Sequence, residues 1–121
     1  MMMTPDEKAE FEQKLILELR RGLVSLAALG ALRSPTYGYS LRQRLVDAGF
    51  DIDQGTLYPL LRRLDAQGLL ESDWNVEGNR PRKYYRLSPD GAALLGRLKT
   101  HWDEQVEVLN RLFANPEGDE S

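Results

Sequence analysis

The sequence contains no cysteine and only one histidine, and each of these shortages excludes a kind of chemistry. Without thiols there is no disulfide framework, no cysteine nucleophile and no thiolate metal site, and nothing requires an oxidising compartment. A lone histidine, His101, offers no converging set of ligands, so we expect it on the solvated surface and expect no metal. No carboxylate pair is accompanied by a nucleophile or base, and no glycine-rich phosphate loop occurs. The sequence therefore predicts neither an enzyme nor a cofactor.

Long apolar runs are missing as well, which bears on the cellular setting. No segment approaches the ~18 consecutive apolar residues of a membrane span, and acidic residues occur early, unlike in a secretory signal. We therefore expect a cytoplasmic protein without a membrane partner. The 121 residues, 41% of them hydrophobic, suffice for one domain with a moderate core, to which a partner subunit would add stability.

Positive charge is in the minority overall but is concentrated in one stretch. The formal net charge is −3. Residues 78–87, "GNRPRKYYRL", nevertheless contain no acidic residue and four cations: Arg80, Arg82, Lys83 and Arg86. Net charge does not describe how charge is distributed. A local cluster of this kind in an acidic chain predicts that one face of the molecule meets a polyanion.

The first half of the chain has the periodicity of two helices. Over residues 11–32 leucines recur every three or four positions, the spacing of a helix that buries one face. A second, shorter helix is predicted over about residues 38–48. Its leucines would point inward, with Arg42 and Arg44 available outside, and Gly49 would take the left-handed cap conformation.

Residues 51–68, "DIDQGTLYPLLRRLDAQG", predict a third helix with Asp53 as N-cap and Gly68 as its stop. A proline in the interior of a helix costs about 3 kcal/mol, whereas among the first four helical residues its missing N–H removes no internal bond. Because of Pro59, we predict a start nearer Gly55 or a kinked first turn.

After the third helix the period changes to two, which predicts a β-hairpin with a basic tip. Leu70, Ser72 and Trp74 share one side of the first strand. On the return strand the alternation places Tyr85 in the core and leaves Tyr84 at an edge. We expect Trp74 to be hydrophobic cover at the base of the hairpin.

A long last helix begins with Ser88 as N-cap and Pro89 at the first helical position. Its apolar stripe exceeds what the other three helices could cover, so we predict that it forms the interface of a homodimer. The stripe consists of Leu95, Leu98, Trp102, Val106, Leu109 and Phe113. Trp102 has two interpretations, a packing residue of this interface or, with its counterpart in the partner, a wall of a pocket for flat aromatic ligands.

The order helix, helix, helix, hairpin, helix predicts a mainly α fold with a small β-hairpin wing, the winged helix-turn-helix, followed by a long C-terminal helix. We divide the chain into an N-terminal helical extension (1–14), a winged helix-turn-helix DNA-binding domain (15–87), a C-terminal dimerisation helix (88–113) and a disordered tail (114–121). In this architecture the third helix enters the major groove and the hairpin touches the flanking backbone. Double-stranded DNA is therefore the expected partner.

The candidate DNA contacts lie on the third helix, on the hairpin and at the start of the second helix. Glutamine, threonine, tyrosine and arginine suit base edges or phosphates, and cations neutralise phosphates. The candidates are Tyr37, Gln54, Thr56, Tyr58, Arg62, Arg63, Arg80, Arg82 and Lys83. For Tyr37, packing on the domain and contact with DNA remain open alternatives. A winged helix used only for protein association, and a ligand-sensing protein with vestigial DNA binding, also remain open.

Three segments, "SPTYGYSLRQRL", "GTLYPLLRRLDAQGLLES" and "RPRKYYRLSPDG", occur in an order and at a spacing that resemble the PadR-like transcriptional regulators, in the short form with a single C-terminal helix. The resemblance covers residues 15–113. It implies a bacterial or archaeal dimeric repressor that binds an inverted-repeat operator and is often released by a small aromatic or drug-like effector. It also implies DNA contact by the candidates other than Arg63, and Trp102 matches a tryptophan that some small members place in the dimerisation helix. The segment "PDEKAEFEQKLI" is long for the pattern, and we predict an added helix there that packs on the partner's C-terminal helix.

Overall fold

The computed structural model describes residues 2–114, which form four helices and three short strands. The helices are α1 (Pro5–Ala31), α2 (Gly38–Asp47), α3 (Gln54–Ala66) and α4 (Pro89–Phe113), and the strands are β1 (Thr36–Tyr37), β2 (Leu70–Asn75) and β3 (Arg82–Leu87). The prediction of a mainly α fold with a small β wing and a long last helix is confirmed. The predicted tail lies, from residue 115 onward, outside the described residues. In the described part of the chain, no helix is both long and apolar enough to cross a membrane.

The first helix is a single element of 27 residues. Thr4 forms a capping box with Glu7, in which the Glu7 backbone N–H donates to Thr4 Oγ1 and the Thr4 N–H donates to Glu7 Oε1. This cap and Pro5 at the first helical position start the helix, and no glycine or proline follows before Gly22. The predicted helical extension is therefore present, but it is the beginning of α1 itself and not a separate helix, and its packing on a partner subunit stays a prediction.

Two arginines of α2 hold the loops on either side of it. Arg42 Nε donates to the carbonyl oxygen of Ile52 at 2.9 Å. Arg44 Nη1 donates to the carbonyl oxygens of Ala31 at 2.6 Å and Ser34 at 2.8 Å. The expectation that both guanidinium groups are available outside is wrong, because backbone carbonyls that leave a helix or enter a turn need donors and these side chains supply them.

The third helix begins one residue earlier than its proline suggested. Asp53 Oδ1 accepts from the backbone N–H of Thr56 at 2.7 Å, which fixes the first helical residue at Gln54. The helix therefore starts one residue before Gly55, close to the predicted start, and Pro59 lies inside it. The hydrogen bond that Pro59 cannot make would have gone to the Gly55 carbonyl, which belongs to an exposed residue of the first turn where water can replace the missing donor.

The three strands form one antiparallel sheet in the order β1-β3-β2. Ser72 lies opposite Tyr85, which is buried as predicted. The strand β1 was not predicted, and it extends the hairpin by pairing with Tyr85 and its neighbour. Trp74 is 63% exposed, so the prediction that it covers the hairpin base is wrong. The end of β2 that carries Trp74 is the end nearest the wing tip, where fewer core side chains are within reach.

The core is built from leucines of all three N-terminal helices, closed by the start of α4. Its largest fully buried side chains are Leu29, Leu32, Leu41, Leu57 and Leu61. Ser88 caps α4 as predicted, accepting from the backbone N–H of Gly91 at 3.0 Å. Leu95 and Leu98 pack against this core, so the exposed part of the predicted dimer stripe begins at Trp102.

Candidate nucleic-acid interface

A concave cleft of about 730 Å³ lies between α3, the start of α2 and the wing, which we define as residues 70–87. Six of the nine residues predicted to contact DNA line it: Tyr37, Tyr58, Arg62, Arg80, Arg82 and Lys83. They are distant along the chain and come from three different elements. The fold therefore gathers on one surface the residues that the sequence singled out.

The other three candidates lie on α3 outside the cleft. Gln54 and Thr56 are exposed in its first turn, next to the N-cap, and Arg63 is exposed one residue beyond Arg62. Their side chains have no hydrogen bond to another described residue. They extend the surface from the cleft along the helix, toward the position that a base edge would take if α3 lies in a groove.

The cations of the cleft differ in how they are paired. Within residues 2–114, Arg62, Arg80 and Arg82 have no carboxylate within ion-pair distance. These three arginines retain their full donor capacity for an incoming anion.

Arg86, from the same basic stretch, is neutralised on the wing. Its Nη1 lies 2.7 Å from Asp73 Oδ2 and its Nε lies 3.3 Å from Glu71 Oε1. The hydrogen bond to Asp73, followed by the charge of that carboxylate, raises the pKa of Arg86. Arg86 does not line the cleft, and its pairing leaves the positive charge of the wing on the cleft side.

Lys83 is held by its neighbours inside the protein. Its Nζ lies 3.5 Å from Asp65 Oδ2 on α3, and Ser72 Oγ donates to the same carboxylate oxygen at 2.9 Å. The ammonium group also lies 5.8 Å from the ring centroid of Trp74 and 5.7 Å from that of Tyr85. Lys83 therefore joins the wing to α3 in the unbound protein, unlike the unpaired arginines beside it.

Tyr37 is packed as well as accessible. Its ring meets that of Tyr84 edge-on at 5.0 Å between centroids, and Arg82 Cζ lies 5.8 Å from its centroid. Its hydroxyl oxygen accepts from Asn75 Nδ2 at 2.6 Å. The packing alternative for Tyr37 is thus present in the structure. The hydroxyl hydrogen remains available to a phosphate, and contact with DNA stays a prediction.

Gly38 forms the floor of the cleft. A Cβ atom there would lie 3.3 Å from Tyr58 Cε1 and 3.5 Å from Tyr85 Cε2, so the two rings converge on the bare backbone. Burial raises the pKa of the Tyr85 hydroxyl, with the charge of Asp65 as a smaller cause. The floor is therefore formed by two phenol rings and the Gly38 backbone, and the same cleft is lined by the cations.

Besides the six candidates and the floor residues Gly38 and Tyr85, the cleft is lined by Tyr39, Trp74 and Pro81, which were not among the predicted DNA contacts. Trp74 pairs with Lys83 across the hairpin, so strand alternation alone would have placed both on the same face. Tyr39 is exposed at the start of α2, on the other side of Gly38 from Tyr37 in the sequence.

Other chemistry finds little support on the described residues. No group of three or more His, Asp and Glu side chains within residues 2–114 converges in the way a metal site requires. His101 is exposed on α4. The arrangement is instead suited to an anionic partner, because guanidinium groups donate in the forked geometry that phosphate oxygens accept.

A second exposed surface is apolar and lies on the N-terminal part of α1 and the C-terminal part of α4. We call it the apolar arms. It comprises the exposed side chains of Phe11, Leu15, Ile16, Leu17 and Leu19 on α1, and of Trp102, Leu109, Leu112 and Phe113 on α4. Within residues 2–114 each of these side chains remains at least 41% exposed. Val106, which lies between Trp102 and Leu109 in the stripe of α4, is half-buried.

Comparison with known proteins identifies what this chain is similar to. The model of the transcriptional regulator PadR-like family matches residues 26–97. A curated relative, the transcriptional regulator Rv3488 of Mycobacterium tuberculosis, is 42% identical over 79 residues, which cover 64% of this chain and 74% of the relative.

Solved structures give the same result. The crystal structure of a PadR family transcriptional regulator from Eggerthella lenta DSM 2243 superimposes with a TM-score of 0.82 at 39% identity, covering 90% of this chain and 97% of that one. A PadR-like transcriptional regulator from Bacillus cereus superimposes with a TM-score of 0.73 at 27% identity, covering 81% and 98%.

Proposed function

Since the chain belongs to the PadR-like family of transcriptional regulators, we propose that it binds double-stranded DNA sequence-specifically, as a homodimer, through the cleft and the exposed face of α3. The observation that carries this proposal is the position of the three unpaired arginines. Arg62 on α3 and Arg80 and Arg82 on the wing line one concave surface, while Arg86 of the same basic stretch is neutralised by carboxylates. One face of an acidic protein thus presents positive charge to a polyanion.

Within this interface α3 supplies the groups that distinguish bases. Gln54 can pair with adenine, Arg62 and Arg63 with guanine, and Thr56 can meet a thymine methyl group or a phosphate. The wing supplies Arg80 and Arg82 to the phosphates that flank the groove, where they add affinity but little sequence preference. Tyr37 and Tyr58 would donate to phosphates at the edge of the cleft.

The apolar arms support the dimer. Single helices with several exposed leucines and aromatic side chains are costly to hydrate, and a second copy of this chain offers the complementary surface about a two-fold axis. A two-fold dimer would place its α3 helices in successive major grooves about 34 Å apart, which requires an inverted-repeat operator.

Repression is the output that we propose, because a dimer bound across a promoter excludes other proteins from it. An effector bound between the subunits beside Trp102 would release the dimer if it favoured a different spacing of the α3 helices. Such coupling requires different affinities for the two geometries and is reciprocal, so DNA would weaken effector binding to the same extent.

The test is the salt dependence of binding to a duplex taken from upstream of the protein's own gene. The variant Arg80→Ala/Arg82→Ala removes four phosphate contacts per dimer, so the slope of log K against log salt should flatten by as much as about 3.6, at roughly 0.9 per contact. The matched control Arg21→Ala/Arg97→Ala removes the same charge from exposed positions on α1 and α4 that do not line the cleft.

A control slope equal to that of the wild type, with a flattened slope for the wing variant, is the result we expect. Equal slopes for all three proteins would remove the wing from the interface. If no duplex from that region is retarded at low salt, the winged helix serves another purpose, such as association with another protein, and the proposal fails.

A further inference from the structure

The aromatic side chains of this protein are distributed as unevenly as its cations. Of its five tyrosines, Tyr37, Tyr39, Tyr58 and Tyr85 line the cleft, and the fifth, Tyr84, packs edge-on against Tyr37. One of the two tryptophans, Trp74, lines it as well. The cleft is therefore an aromatic site as much as a cationic one.

Phosphate binding accounts for the arginines but not for the open rings. A DNA backbone contact needs donors, which guanidinium groups and hydroxyls supply, whereas large aromatic faces left in water are unfavourable. Trp74 is 63% exposed and Tyr39 is 72% exposed. Beneath them the Gly38 backbone leaves an apolar floor between the rings of Tyr58 and Tyr85.

The size and lining of the cleft match a small-molecule site. Its volume of about 730 Å³ falls in the range of about 300–1,000 Å³ that is usual for ligand pockets. Such pockets combine apolar and aromatic walls with a few placed polar groups. Here the polar groups include Arg62, Arg80 and Arg82, which have no carboxylate partner within residues 2–114 and so favour a negatively charged ligand.

We propose that the cleft binds a small molecule that joins a planar aromatic ring to one anionic group, and that this molecule competes directly with DNA. The ring would lie against Trp74 and Tyr39, and the anion would take donors from Arg62, Arg80 or Arg82. The competition rests on the proposed function, because those arginines are the phosphate contacts assigned above. Release by this route requires no change in the geometry of the dimer.

The two tryptophans allow the site to be located by fluorescence. Trp102→Phe leaves Trp74 as the only tryptophan, and Trp74→Phe leaves Trp102; both side chains are exposed, so circular dichroism should show the fold retained. The probes are 3-nitrobenzoate, its neutral counterpart 3-nitrobenzamide, and adenosine 5′-monophosphate. N-acetyltryptophanamide in the same solutions corrects for absorption by the probes.

We expect saturable quenching of Trp74 by the carboxylate or by the nucleotide, with at least tenfold weaker binding of the amide. The anion that quenches Trp74 fluorescence shows whether the cleft takes an aromatic acid or a nucleotide. Arg62→Ala/Arg80→Ala should weaken that binding at least tenfold, whereas Arg21→Ala/Arg97→Ala should not. Equal quenching by acid and amide, or saturable quenching of Trp102 but not Trp74, would overturn the site.

Competition is measured separately, on the wild-type protein, by the anisotropy of a fluorescein-labelled duplex. An anion that binds at Trp74 should reduce the apparent DNA affinity in proportion to its occupancy of the cleft. Undiminished DNA binding at saturating anion would refute competition. A protein that binds no duplex would refute the proposed function, while the quenching of Trp74 would still decide whether the ligand site exists.

Discussion

The cleft and the apolar arms are both open to solvent, but the protein holds them in opposite ways. Side chains of the cleft are fixed by neighbours, as Tyr37 is by Asn75 and Lys83 is by Asp65. Residues 2–19, by contrast, are all exposed, as are most residues of α4 beyond Leu98. One subunit can therefore present a preorganised cleft, whereas the side chains of the arms would be buried only in the dimer that we propose.

The substitution with the largest expected effect on stability is at Gly91. This residue lies where α4 joins the wing, between the cleft and the arms. A Cβ there would lie 2.9 Å from the Leu69 carbonyl carbon and closer still to its oxygen, which is backbone and cannot rotate away. The Leu69 oxygen also accepts from the Ser88 N–H at 3.0 Å, so displacing it disturbs the hydrogen bond that positions the N-cap residue of α4. Gly91→Ala should lower the free energy of unfolding by about 3 kcal/mol.

The control for Gly91 lies in the same helix. At Gly96 an added Cβ meets nothing within 4 Å, so Gly96→Ala should stabilise by about 0.5–1 kcal/mol through helix propensity alone. Urea denaturation at one fixed protein concentration compares the two variants, since the proposed dimerisation would make apparent stability depend on concentration. Equal effects of both substitutions would show that the backbone around Leu69 can shift to accommodate the added methyl group.

The arms are tested by placing a charge on them. Leu109→Glu puts a carboxylate into the exposed stripe of α4, where a partner helix would have to bury it unpaired. We expect sedimentation velocity to show a monomer, and operator affinity to fall about 100-fold because two linked half-site contacts become one. Asn110→Glu adds the same charge next to the stripe and should leave a dimer; a dimeric Leu109→Glu protein would place the interface elsewhere.

A smaller effect separates the roles of two wing cations. Lys83→Met keeps the apolar stem but removes the ammonium group that meets Asp65. Because that group is engaged within the protein, we expect DNA affinity to fall only a few-fold with an unchanged salt slope. Arg82→Ala, which removes an unpaired cation, should flatten the slope by up to about 1.8 for two subunits. A slope lowered equally by both variants would make Lys83 a phosphate contact, as first predicted.

The sequence predicts what depends on neighbours along the chain. The caps at Asp53 and Ser88 and the alternation that buries Tyr85 were correct, because each is written in a few consecutive residues. Two of the failures concern distant partners. Arg42 and Arg44 were expected outside but donate to carbonyls ten or more residues away.

The same distinction explains the cleft. The four cations of the basic stretch could be named from composition, because residues 78–87 contain no acidic residue. Which of them remain unpaired depended on Asp73 and Asp65, which lie on a neighbouring strand and on α3. The strand β1 is only two residues long, too short for any periodicity to mark it.

The smallest effect that we predict concerns the carboxylates at the starts of two helices: Asp53 at α3, beside the cleft, and Glu7 at α1, in the arms. The hydrogen bond from Thr56, with a lesser contribution from the charge of Arg42, lowers the pKa of Asp53, and the hydrogen bonds with Thr4 lower that of Glu7. A carboxyl whose pKa is lower in the folded state stabilises above its unfolded pKa, about 4, and loses that contribution as pH falls through the folded value.

Asp53→Asn retains a capping oxygen but cannot ionise. The difference in urea midpoint between wild type and Asp53→Asn should therefore be present at pH 6 and shrink below about pH 4. Glu7→Gln should give a smaller difference at every pH, because the start of α1 is exposed and can fray without unfolding the core around α3. A Glu7→Gln effect as large as that of Asp53→Asn would show that the arm unfolds together with the cleft, and the contrast between the two surfaces would then be one of composition rather than of rigidity.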